Sequence, residues 1–376
     1  MNMKHLILIV AMTLAALIAP QPVAASASGD GHDGKINPKE IIFEHLGDGY
    51  GWEVPFCHDK RIPLPVIVRA DNGSWHCFSS ARVTDGSVYD SDGCRFRIAH
   101  GGKYNGKVVE IGADGQEYRP WDLSITKNVM AVFIAALCVI WSCMTVARWH
   151  KRNGYKAPRK FTGAMEALIE FIYDGVIKPT LKEKAKRFAP YLLTVFLFIL
   201  FMNLLGLIVI FPGGANLTGN IAVTLVLSLI TFFVTNLFAT KHYWKEIFWP
   251  DVPWWLKVPI PIMPIIEIFG TFTKPAALTV RLFANMMGGH MIVIVLMLMI
   301  FIFAEMGAAV LGATTVVSVA FSIFMLLIDV LVSFIQAYVF TMLSTLFISI
   351  AQEKEHEHEA HDAAEADKTS HAVAAK

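Results

Sequence analysis

Apolar positions in this sequence fall in long unbroken runs rather than in alternation. From Phe188 to Thr240 there is no Asp, Glu, Lys or Arg. A membrane-crossing helix needs roughly 20 apolar residues, so this run holds two, and "FPGGANLTGN" midway supplies the turn between them. From Pro275 to Gln352 the only charged residues are Arg281, Glu305 and Asp329. Glu305, followed by Gly307, marks a turn between two helices of roughly 30 and 40 residues. At 1.5 Å per residue these reach about 45 and 60 Å against a 30 Å hydrocarbon core, so they tilt steeply or extend out of the membrane.

Ahead of the hairpin, residues 129–147 are uncharged between Asn128 and Arg148 and form the first span. The basic "RWHKRNGYKAPRK" after it marks the cytoplasmic side. Phe161, Met165, Leu168, Ile169, Ile172 and Val176 then share one helical stripe, with Glu166, Glu170 and Asp174 off it. This is an amphipathic helix, lying at the interface or packed on the bundle. In "FWPDVPWWLKVPIPIMP" the prolines break helix and the tryptophans suit a membrane interface.

The N-terminal third differs in kind. Residues 1–27 have a basic start at Lys4, an apolar run of about fourteen residues and small residues at Ala25 and Ala27, the pattern of a cleaved signal peptide; an uncleaved anchor is the other reading. Residues 28–122 are polar and Gly-rich, with short runs such as "LPVIVRA", "CRFRIAH" and "GKVVEIG" separated by turn signals such as "DNGS" and "DSDG". They predict a small β-rich extracytoplasmic module. Its cysteines, Cys57, Cys77 and Cys94, would permit one disulfide of undetermined pairing in an oxidising compartment. The neighbouring His58 and His76 match no standard zinc spacing. Residues 353–376 are charged and rich in Ala and His, a solvated, disordered tail.

The predicted fold is thus an all-α polytopic membrane protein. It has about five membrane helices including two long tilted ones, an amphipathic helix, and the β-rich module outside. Five crossings put the module outside and the C-terminus in the cytoplasm. Composition agrees: of 376 residues, 55% are hydrophobic and 17% charged, outside the range of soluble globular proteins. Net charge is +1 and the basic residues sit at the edges of apolar segments, which gives nucleic-acid binding no support.

The charges inside the apolar runs carry the chemistry. An arginine at the bilayer centre costs roughly 2.5–3.5 kcal/mol on insertion scales and cannot escape by deprotonating. Arg281 therefore either snorkels to the interface or meets a water cavity or an acidic partner. On a helix Arg281, Asn285 and Gly288 share one face, while His290 points away from it, about 13 Å along the axis. Asp329, Ser333 and Gln336 form a second polar stripe. A salt bridge from Asp329 to Arg281 or His290 is the purely structural reading, and it leaves Gln336 unexplained. A fixed cation with an imidazole on the opposite face suits a proton route interrupted by a charge barrier. A lone secondary transporter would show internal repeats, and a metalloenzyme a helical ligand set such as HExxH; neither is evident.

"KPAALTVRLFANMMGGH", "FAPYLLTVFLFILFMNLLGL" and "FIQAYVFTMLSTLFIS", in that order over roughly residues 120–352, resemble subunit a of the F-type ATP synthase family, in a bacterial form with an extra N-terminal module. The resemblance implies a membrane domain over residues 123–352 in the cell inner membrane. It implies a non-catalytic proton-channel stator with no cofactor and no metal, working beside the c-ring and the b subunits of the peripheral stalk. It makes Arg281 the arginine that meets each c-ring carboxylate and blocks leakage between two aqueous half-channels, with Gln336 its companion and Asn285 a lining residue. Glu267 matches a carboxylate of the cytoplasmic half-channel. Members often carry a carboxylate nine residues after the arginine and a histidine seven before the glutamine. Here His290 and Asp329 stand the other way round, which implies one acid/imidazole unit across the helix pair. Ala277 replaces a common serine and puts a hydroxyl relay at that point in doubt.

Overall fold

The computed structural model describes residues 47–54, 57–83, 87–99, 104–112, 115–154, 156–208, 217–248, 262–304 and 308–352. The predicted signal peptide, most of the hairpin turn, the proline loop at 249–261, the Glu305 turn and the C-terminal tail lie outside the described residues. The chain packs as two units. One comprises Met1–Met144, Phe201–Leu217 and Met286–Ser333; the other comprises Thr145–Leu200, Thr218–Asn285 and Phe334–Lys376.

The first unit holds the predicted β module. Strands β1 (Gly51–Val54) and β2 (Cys57–Pro63) form a hairpin. Strands β3 (Pro65–Arg69), β4 (Trp75–Ser79) and β9 (Trp121–Asp122) form a second sheet in the order β4-β3-β9. A third sheet joins β5 (Tyr89–Ser91), β6 (Cys94–Ile98), β7 (Val108–Ile111) and β8 (Glu117–Tyr118) in sequence order. All three β-like runs read from the sequence are strands, and both turn signals close hairpins. In "DSDG", Asp92 and Gly93 take φ of 52° and 83° between the paired Ser91 and Cys94, the two left-handed residues a tight hairpin requires. Alternation sends Val66, Val68, Phe78 and Phe96 into one core.

The same alternation overturns the disulfide. Cys77 and Cys94 are both free thiols, and every pairing of the three cysteines needs one of them. On β4, His76 and Phe78 face inward while Cys77 faces out, and Cys94 is buried. Burial, reinforced by the Glu110 carboxylate, pushes the Cys94 thiol up, which keeps it protonated and unreactive. His76 is buried and bonded to Ser74 Oγ at 2.6 Å and Ser91 Oγ at 3.1 Å.

The module is fastened to the first span. Helix α1 (Lys127–Asn153) begins where Lys127 N donates to Gly49 O at 2.9 Å and Asn128 N to Asp48 Oδ1 at 3.2 Å, satisfying two of the amides a helix start leaves open. It ends at Gly154, φ 60°, whose N–H returns to His150 O.

The amphipathic segment is α2 (Phe161–Ile172), which leads through a π turn (Tyr173–Ile177), α3 (Lys178–Leu181) and a 3-10 turn (Lys182–Lys184) into α4 (Ala185–Leu207). Helix α5 (Ile221–Leu237) is capped by the Asn220 side chain on Ala222 N, and α6 (Lys241–Phe248) is short. The last two helices are α7 (Ile262–Ala304) and α8 (Ala308–Ala351), of 43 and 44 residues.

One expectation changes. Helix α7 starts well before Pro275, because Pro264 stands in the first turn, where its missing N–H has no bond to lose. Pro275 is carried inside the helix. Four helical stretches among the described residues are long and apolar enough to cross a membrane, against five crossings expected. The fifth segment, α5, has 17 residues, about 26 Å at 1.5 Å each.

Candidate functional site

Polar residues of α5 face inward and apolar ones outward. Thr224, Ser228, Thr231 and Thr235 are buried, while Leu225, Val226 and Phe233 are exposed. That inversion is what a helix between lipid and a polar interior requires. In the second unit Ser228 Oγ lies 2.5 Å from Thr279 Oγ1 on α7, and Thr231 Oγ1 lies 2.9 Å from Tyr191 on α4. These hydroxyls escaped the sequence reading, although their spacing of i, i+4, i+7 and i+11 is a helical stripe. Thr279 also places a hydroxyl two residues past Ala277, where the lost serine had put one in doubt.

Arg281 lies near the middle of α7. Its neighbours Leu278 and Leu282 are buried, at 2% and 0% exposure, whereas Arg281 itself is exposed. Among the described residues it makes no hydrogen bond or ion pair. Glu267 and Asn285 are half-buried, and the Glu267 carboxylate likewise has no bonded partner among the described residues. On α8, Gln336 is buried at 6% exposure, with its Nε2 unpaired. No hydrogen bond joins it to Arg281.

The first unit gathers the other predicted pair. His290 Nδ1 is 3.1 Å from Met286 O, one turn back, and Nε2 is 3.3 Å from Gly206 O on α4. A carbonyl oxygen only accepts, so both contacts are hydrogen bonds only when both ring nitrogens carry protons, in the imidazolium form. The Asp329 carboxylate lies against the backbone just before this histidine. A Cβ built on Gly289 would stand 2.6 Å from Asp329 Oδ1 and 3.0 Å from Cγ. No direct bond joins Asp329 to His290 among the described residues; glycine lets the acid approach the helix that carries the imidazole. Asn203 of α4, with no exposed surface, donates from Nδ2 to Ser333 O at 3.4 Å, while Asn203 Oδ1 and Ser333 Oγ are buried and unpaired. Asn203 and Gly206 both belong to "FMNLLGL", so that motif supplies polar partners in this unit.

The sequence thus places Arg281, Glu267, Asn285 and Gln336 in one unit, and His290 and Asp329 in the other. The ATP synthase A chain family model matches residues 129–349, and the model of a domain of unknown function, DUF8433, matches residues 41–123. ATP synthase subunit a 2 of Chlorobaculum tepidum is 43% identical over 259 residues, spanning 67% of this chain and 70% of that protein. Subunit a of Chlorobium phaeobacteroides strain BS1 is 44% identical over 253 residues, 65% and 69% of the two chains. The Myxococcus xanthus subunit a is 41% identical over 249 residues, 64% and 77%. With more than half its length matched by the family model, the chain belongs to the ATP synthase subunit a family.

Proposed function

We propose that Arg281 is the fixed cation past which the carboxylates of the c-ring turn. As a member of its family the chain is the non-catalytic, proton-translocating membrane subunit of the F-type ATP synthase. The observation that carries the role of Arg281 is its exposure without a partner among the described residues. A guanidinium held in an apolar helix at that cost needs an acid, and a rotor carboxylate supplies one.

His290 and Asp329 are the entry relay on the outer side. Both ring nitrogens face carbonyl oxygens, so a protonated ring donates to both and a neutral ring to one. Asn203 Oδ1 and Ser333 Oγ extend the polar lining. The relayed proton neutralises a c-ring carboxylate, which can then turn into lipid. On the inner side a carboxylate loses its proton near Glu267 and Asn285, and its charge is drawn to Arg281, with Gln336 beside it. The membrane potential biases the cycle by about 2.3 kcal/mol per charge per 100 mV.

The topology that suits this cycle has five crossings, α5 being the short one. Residues 28–122 lie outside and 353–376 in the cytoplasm of a bacterial inner membrane, after removal of residues 1–27, with b subunits holding the chain against rotation. The test is Arg281→Ala in inverted vesicles holding the assembled synthase. ATP-driven acidification should vanish while ATP hydrolysis by the soluble sector persists; undiminished acidification would sink the assignment.

A further inference from the structure

The outer face of the β4-β3-β9 sheet exposes tryptophan, leucine and arginine side chains. Register places Trp75 opposite Arg69 and Arg69 opposite Trp121, a row across three strands. The Arg69 guanidinium stands 6.0 Å from the Trp75 ring centroid, and the two tryptophans are 57% and 75% exposed. Leu123, whose N–H bonds to Ile67 O, continues the face at 63% exposure. Toward the other end of β3 and β4 lies an open groove of about 480 Å³ lined by Pro63, Pro65, Cys77, Phe78, Ser79 and Arg82. No carboxylate of the described residues lines it. Arg82 gives one N–H to Tyr89 Oη at 2.7 Å and lies over that ring, with no acidic partner among the described residues.

The groove is close to the membrane boundary. Pro65 O accepts from Ile125 N at 3.1 Å, and α1 begins two residues later at Lys127. At about 3.4 Å per extended residue, the groove is within about 10 Å of the helix start, against a headgroup layer of about 5–8 Å on each side. Val129 and Phe133 at the start of the span are exposed as well. Exposed tryptophans favour that layer, and an unpaired guanidinium matches a phosphate.

We propose that this groove seats the phosphate headgroup of a phospholipid from the leaflet next to the module, with Arg82 and Ser79 on the phosphate. Trp75, Trp121 and Leu123 rest on the surrounding lipid. The module is then a lipid-gripping foot for the first span.

The test uses the assembled complex with Cys77 as the one cysteine of this chain, the other four replaced by alanine, and a spin label attached. In vesicles of phosphatidylglycerol and phosphatidylcholine the label should be at least threefold less accessible to a water-soluble nickel chelate than a label at Arg95→Cys on the other sheet. Arg82→Gln should remove that protection. Without the label, Arg82→Gln with Arg69→Gln should lower the phospholipid phosphorus retained after detergent washing. Equal accessibility at the two sites, with unchanged phosphorus, overturns the proposal. Protection that persists in lipid-free detergent assigns the face to a protein neighbour instead. Protection restored there by inorganic phosphate assigns the groove to a free anion.

Discussion

At the scale of single residues, the sequence revealed what was chemically out of place and hid what depends on close approach. Arg281, His290 and Asp329 stood out because ionisable groups are costly in apolar helices. Gly289 did not, since a glycine announces its purpose only once something fills the missing side chain. The structure puts the Asp329 carboxylate there. Gly289→Ala should therefore displace the acid and slow ATP-driven pumping about tenfold, equivalent to about 1.4 kcal/mol of barrier. Gly312→Ala, whose Cβ would meet nothing within 4 Å, should leave it unchanged; acidification of inverted vesicles compares the two. In the module, burial first, and then the bond Tyr50 donates to Asp122, raise the tyrosine hydroxyl above its usual range. A raised pKa favours the folded form fully below the unfolded value of about 10 and loses that contribution as pH rises through the folded value. Protease resistance of the module should therefore fall above about pH 10, and Tyr50→Phe should flatten that dependence, while removing the hydroxyl that Val108 N–H and Asp122 Oδ2 bond and leaving Asp122 Oδ1 on Ser124 N–H.

At the scale of elements, the length of an uncharged run was legible and its ends were not. The strands separated by "DNGS" and "DSDG" followed from alternation and turn chemistry, and the first span followed from the absence of charge. Helix α7 was read too short because proline was treated as a breaker, whereas Pro264 sits in a first turn that tolerates it. Helix α5 was read as merely apolar, although its hydroxyls lie on one buried stripe. How much that stripe stabilises can be bounded. Hydrogen bonds between membrane helices average about 0.6 kcal/mol in double-mutant cycles, with a maximum of about 1.7. The 2.5 Å contact between Ser228 and Thr279 should fall in that range. A cycle of Ser228→Ala and Thr279→Val, read by unfolding of the complex in mixed micelles, should give a coupling of about 0.6–1.7 kcal/mol; none would mean that the hydroxyls pack without bonding.

At the scale of the whole molecule, the exposed Arg281 of α7 has no acid of its own among the described residues. On the proposed role, the subunit alone bears an insertion cost that the assembled rotor relieves. Replacing the arginine by an apolar residue should then have opposite effects in two settings. In cells lacking the c subunit, Arg281→Leu should outlive the unchanged chain, because about 2.5–3.5 kcal/mol of insertion cost is removed. In the complete synthase the same change should abolish pumping and bring no gain in lifetime, since on the proposed role a c-ring carboxylate answers the charge. Pulse-chase of the chain in both backgrounds separates the two terms. A shorter or equal lifetime for Arg281→Leu without the c subunit would mean that the arginine is satisfied within its own subunit or by snorkelling. An internal partner would also remove the reason to place a rotor carboxylate opposite it. The lifetime comparison therefore tests the same missing acid on which the proton-gating role depends, without measuring proton flow.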